Sequence, residues 1–186
     1  MPNENAAQLS ARQANFTVFH QELAQVLVDF IGRIGIEPAA PVLKQAAQYV
    51  PLVEQALRDM AVADEADRTW LTARIAYFVG EVFVQQYDGC WYVNDAPGSP
   101  LHARYVVGKF AKPAQAAMPV DPFGLAQAYV AAPVPRALAT LLADMHTKLE
   151  GEPRFLPLRA CSNFCVAAEA LCSARTGKIK EKCTVR

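Results

Sequence analysis

The chain has 186 residues, 53% of them hydrophobic and 19% charged, with 18 Lys plus Arg against 18 Asp plus Glu. That length suits one domain with room for an appendage, and a domain of this size buries roughly 70% of its extended surface, so it folds without metal or disulfide staples. Balanced charge argues against a nucleic-acid partner, which needs a local basic excess, and no stretch offers the ~20 consecutive apolar residues of a membrane span.

In chain order, residues 1–14 are polar and are expected to fray. From Asn15 the pattern turns helical: Phe16, Phe19, Leu23, Val26, Leu27, Phe30, Ile31 and Ile34 recur at three and four and lay down one apolar stripe. Glu37-Pro38 stops it, because a residue before proline avoids the α region. A second helix is expected from about Ala40, and Pro51 should open a fresh one, since proline is tolerated in a first turn but not inside. Asp64 is a good N-cap for the next segment. This is the hub, about 67–87, where Leu71, Ile75, Phe78 and Val82 keep helical spacing and apolar residues surround the axis.

Asp88-Gly89 supplies a stop, with glycine as the residue that takes a left-handed cap freely. Cys90 to Val93 reads as a strand, residues 94–100 (NDAPGSP) as a surface loop, and Tyr105 to Phe110 as the returning strand. A two-stranded hairpin is marginal in water, so it must lie on the hub or gain a third strand. A proline-bounded connector, 112–120, leads to Asp121-Pro122, an N-cap followed by proline at the first helical position. Pro133 and Pro135 break that helix, and another runs from Arg136 to Leu149. The expected fold is therefore mainly helical α+β: residues 1–153 form one domain around the hub, with an antiparallel hairpin at about 90–110. Residues 154–186 form a cysteine-containing tail in which Cys161, Cys165, Ala168 and Cys172 share a face that reads as a docked helix.

The candidate chemistry is sparse. Glu81 is a carboxylate amid IAYFVGEVFV, costly to bury unless bonded or paired. Tyr77 lies one turn before it and Arg74 two, so a tyrosine hydroxyl, an arginine or hairpin backbone is its expected partner. Gly80 beside it lets another part of the chain approach closely. Cys90 and His102 could in principle form an activated thiolate pair, but no oxyanion-hole glycines accompany them, and Cys90 beside Trp91 reads as packed. Trp91, Tyr92 and Tyr105 could form a contact surface on the hairpin. Cys161 and Cys165 are half a zinc pattern without a second pair, and the sequence holds neither G-x-G-x-x-G nor G-x-S-x-G, so no metal or cofactor is expected. The N-terminus lacks a secretory pattern and five cysteines is an odd number, so reduced thiols and a cytoplasmic location are expected; the alanine-heavy composition suggests a bacterial source.

The order GEVFV, D-G-C-W, Y-V-V-G and D-P-F over about 75–126 resembles small uncharacterised bacterial α+β proteins. In these a helix ending in Gly-Glu precedes a Gly-x-Trp strand and an Asp-Pro-Phe helix start. The resemblance implies an interaction or immunity-type protein that neutralises a toxin or effector.

Three functions follow as expectations. The first is a non-catalytic intracellular binding protein, with a protein partner adding a strand to the free hairpin edge and a homo-oligomer also possible. The second is a hydrolase or transferase using Glu81, or Cys90 with His102. The third is a small-ligand binder with a pocket between hub and hairpin. The candidate contact residues are Tyr77, Glu81, Trp91, Tyr92, His102 and Tyr105.

Overall fold

The computed structural model describes residues 4–111 and 118–150. Its contacts divide the chain into Met1–Glu152 and Pro153–Arg186. The second unit, with the expected cysteine-bearing face, lies outside the described residues, as does most of the expected connector. In the first unit five helices and a two-stranded antiparallel hairpin make a mainly helical α+β fold. The order is α1 (Glu4–Arg33), α2 (Val42–Leu57), α3 (Glu65–Tyr87), β1 (Cys90–Val93), β2 (Tyr105–Gly108), α4 (Pro122–Ala131) and α5 (Leu138–Glu150).

Helix α3 is the hub. It begins where the Asp64 carboxylate accepts the Asp67 N–H at 2.7 Å, filling one of the first turn's orphan donors. It packs against α1, α2, α4 and both strands. Ile75, Phe78, Val79 and Phe83 on it are fully buried, among Val42, Ala46 and Val53 of α2 and Ala126 and Tyr129 of α4. Its end differs from expectation in one residue. Asp88, not Gly89, takes the left-handed conformation (φ 49°, ψ 52°), a conformation that aspartate tolerates better than most residues. Gly89 is small for another reason: a Cβ there would lie 2.6 Å from the Phe110 ring.

Two other expectations change. Helix α1 starts at Glu4, so residues 4–14 are helical instead of frayed. Their Ala, Gln, Glu and Arg are good helix formers, and the Tyr105 hydroxyl donates to the Arg12 carbonyl at 3.1 Å. Helix α2 runs through Pro51 without restarting there, and its irregular residue is Gln45 (φ −139°, ψ 38°). Pro51 is tolerated because Ala47, whose carbonyl it leaves without a helical donor, is exposed to water. At Gln45 the bond from the Ala46 N–H to the Val42 carbonyl is replaced by the Gln85 side chain of α3. Its Oε1 accepts from Ala46 at 2.7 Å and its Nε2 donates to Val42 at 3.1 Å. One carboxamide thus satisfies both opened backbone groups and ties α2 to the hub.

The hairpin pairs Cys90 with Gly108, Trp91 with Val107, Tyr92 with Val106 and Val93 with Tyr105. Strand β2 ends two residues earlier than expected, at Gly108. Lys109 then turns the chain at φ 55°, and Phe110 is buried against Tyr87. Among the described residues the hairpin gains no third strand and is supported by the hub and by one isolated bridge. It lies on α3, and Val107 exchanges backbone bonds with Val120 on its far side at 2.8 and 3.0 Å. Helix α4 starts as expected: Asp121 Oδ1 accepts the Gly124 N–H, and Oδ2 receives Arg104 from the hairpin at 2.8 Å. Helix α5 is capped from a distance, with the Glu54 carboxylate of α2 accepting the Ala139 N–H at 2.6 Å.

Candidate functional site

Trp70, Arg74, Tyr77 and Glu81 are spaced four, three and four apart, which places them on one face of α3. That face meets α1 running the other way: Phe30 and Arg33 reach Trp70, and Phe19 reaches Tyr77. The α3 side of the seam between the two helices carries aromatic and charged side chains, whereas Ala76, Val79 and Phe83 on the opposite side of the helix are buried. Four of the six candidate contact residues meet at the seam's hairpin end.

Glu81 finds its partner in Trp91, whose indole N–H donates to Oε1 at 3.0 Å. The side-chain reading that Glu81 fixes how the hairpin docks therefore holds, with an indole in place of the expected tyrosine, arginine or backbone. Burial raises the Glu81 pKa above its ordinary value, and the Trp91 bond opposes that shift in part. Gly80 makes room for the indole, since a Cβ there would sit 1.8 Å from the Trp91 ring. Phe19 of α1 stacks on Tyr105 at 4.5 Å and meets Tyr77 and Trp91 edge-on, each at 5.2 Å. It packs among Tyr77, Trp91 and Tyr105, three of the residues expected to line a ligand pocket between hub and hairpin. Tyr77 is half-buried, and burial raises its pKa.

The other two candidates lie elsewhere. Tyr92 is on the opposite face of the hairpin, over Gly108, with the Lys109 ammonium 4.8 Å from its ring centre. His102 sits in the 94–104 loop, its Nδ1 3.3 Å from the Ala96 carbonyl. Cys90 begins β1 at the end of the ladder away from this loop and is exposed, not packed. Cys90 and His102 are thus not brought together. Among the described residues no group of three or more His, Cys, Asp or Glu is placed to hold a metal ion, and no helix is long and apolar enough to cross a membrane.

Three features were not read from the sequence. One is the Gln85 bridge. Another is a polar contact at the far end of α3, where the Tyr87 hydroxyl and His146 Nδ1 share a 2.7 Å hydrogen bond beside Phe83. Burial lowers the His146 pKa, against the raising influence of Glu150. The third is the open end of the α1–α3 seam. There the Arg33 and Arg74 guanidinium carbons lie 5.3 and 5.2 Å from the centre of the Trp70 ring, beside a cavity of about 140 Å³. Arg74 at one turn from Trp70 is the only sequence signal for it, because Arg33 comes from another helix.

Comparison with protein-family models, with curated proteins and with solved structures found no match to this chain.

Proposed function

We propose that this chain is a non-catalytic binding protein whose protein partner docks along the outer edge of β1. The observation that carries this reading is the sheet order. Strand β2 has β1 on one side and the Val120 bridge on the other, while β1 has no second strand partner among the described residues and has helix α1 packed against it. Asn94 donates to the Arg104 carbonyl at 2.9 Å. By the alternation of an antiparallel ladder, Trp91 and Val93 then present their N–H and C=O groups to the outer edge. An extended partner segment can pair with these groups. The exposed Cys90 and the Tyr92–Lys109 pair flank the edge and offer side-chain contacts for specificity. The immunity-type resemblance names a toxin or effector as that partner.

The test compares the full chain with its Val93→Pro and Tyr92→Ala variants in affinity purification from the source cells. Val93→Pro removes one outward donor and leaves the bonds to β2. The expected result is a stoichiometric protein that the wild type retains and Val93→Pro loses, with the thermal midpoint unchanged. A partner held equally by wild type and Val93→Pro, or no stoichiometric partner, contradicts the reading.

A further inference from the structure

We propose that the open end of the α1–α3 seam is a binding site for a small oxyanion group, a carboxylate or a phosphoryl group, held between the guanidiniums of Arg33 and Arg74 beside Trp70. The site is at the other end of the seam from the hairpin and does not depend on the strand-edge reading.

Arg33 lies in the last turn of α1 and Arg74 one turn beyond Trp70 on α3, so two helices deliver like charges to one indole. Both guanidiniums lie close to the ring, at 5.3 and 5.2 Å, and both line the same cavity with Val26, Asp29 and Phe30. A guanidinium held over a ring spends its face on the π system and keeps its N–H edges free. Those edges form a fork that matches two oxygens of a carboxylate or phosphoryl group. The three ion pairs among the described residues use Arg58, Arg68 and Arg104, so neither Arg33 nor Arg74 has a carboxylate within ion-pair distance there. Two cations gathered with neither in an ion pair repel one another, and a bound oxyanion relieves that repulsion.

Asp29 is the one carboxylate on the cavity wall, and its Oδ1 is occupied by the Gln25 side-chain amide at 2.7 Å. The wall therefore carries one net positive charge, which suits a single anionic group. The volume of about 140 Å³ admits such a group and falls well below the ~300–1,000 Å³ of pockets that enclose a whole drug-sized ligand. The ligand presents its oxyanion to the notch and leaves its remainder in solvent.

The chain holds two tryptophans, so an ¹⁵N-labelled sample shows two indole N–H signals, which Trp70→Phe assigns. Inorganic phosphate and, separately, acetate are titrated at constant ionic strength with chloride as the balance. The expected result is a saturable shift of the Trp70 signal, with the Trp91 signal unmoved as an internal check of folding. Arg33→Gln and Arg74→Gln should each weaken binding by roughly ten-fold or more, the usual cost of losing a charged hydrogen bond. Arg58→Gln, at a distant exposed position, should change nothing. Whichever anion saturates the signal identifies the group bound. A Trp70 shift that stays linear for both anions overturns the site, and so does equal affinity in folded Arg33→Gln and Arg74→Gln.

Discussion

The two tryptophans sit at opposite ends of the same seam and do opposite things. Trp91 is 5% exposed, its indole N–H is taken by Glu81, and its ring lies on Gly80 among Phe19, Phe123 and the helix backbone. Trp70 is half-exposed, with two guanidiniums beside its ring and a cavity alongside. At the closed end the Trp91 indole and Glu81 pair with each other and the Tyr105 hydroxyl reaches the Arg12 carbonyl, because a buried donor or acceptor left alone costs ~1–3 kcal/mol. At the open end the charges remain hydrated, so no such pressure applies. Polar residues on one helix face can therefore serve architecture at one end and recognition at the other. What separates them is whether water still reaches the group.

The largest effect expected at the closed end comes from Gly80→Val. Added atoms would meet the Trp91 ring, and the ring cannot slide without losing its bond to Glu81. A loss of about 3 kcal/mol, the upper range for overpacking, should appear in thermal denaturation; an unchanged midpoint would break the picture of a closed end. Gln85→Leu comes next. It strands the Ala46 N–H and the Val42 carbonyl, and ~2 kcal/mol should be lost in chemical denaturation. A smaller loss would show that water can reach this break in α2, which would make the closed region smaller than described.

The smallest effects are pH slopes of opposite sign. Glu81 binds its proton more tightly when folded, so its contribution is greatest below the unfolded carboxylate value of ~4.3 and declines as pH rises through the folded value. His146 binds its proton less tightly when folded. Its contribution is present above the unfolded value of ~6.5 and is lost as pH falls toward the folded one. Thermal midpoints measured across acidic to neutral pH should lose the decline in Glu81→Gln and keep the histidine-linked rise. A Glu81→Gln profile matching the wild type would mean that Glu81 is as hydrated as the open end.

Much of this fold could be read from residue spacing because it rests on local rules. The hub is legible in Leu71, Ile75, Phe78 and Val82, its start in Asp64, and the next helix in Asp121-Pro122. Gly80 already pointed to a close approach, though not to which ring makes it. The missed features all depend on pairing across the fold. Gln85 looks like any polar residue until α2 opens opposite it, and Arg33 means little until α1 lays it beside Trp70. At the start of α1 helix propensity outweighs polarity, and at Pro51 the exposure of the neighbouring carbonyl has no local signature in the sequence.

Hydrogen exchange of the two indole N–H groups, followed by NMR in the full chain, tests the contrast between the ends most directly. The Trp91 proton should exchange far more slowly than the Trp70 proton, and Glu81→Gln should speed it. Similar exchange rates for both indoles would mean that water reaches the Gly80–Trp91 contact and would contradict the division of the seam into a closed and an open end.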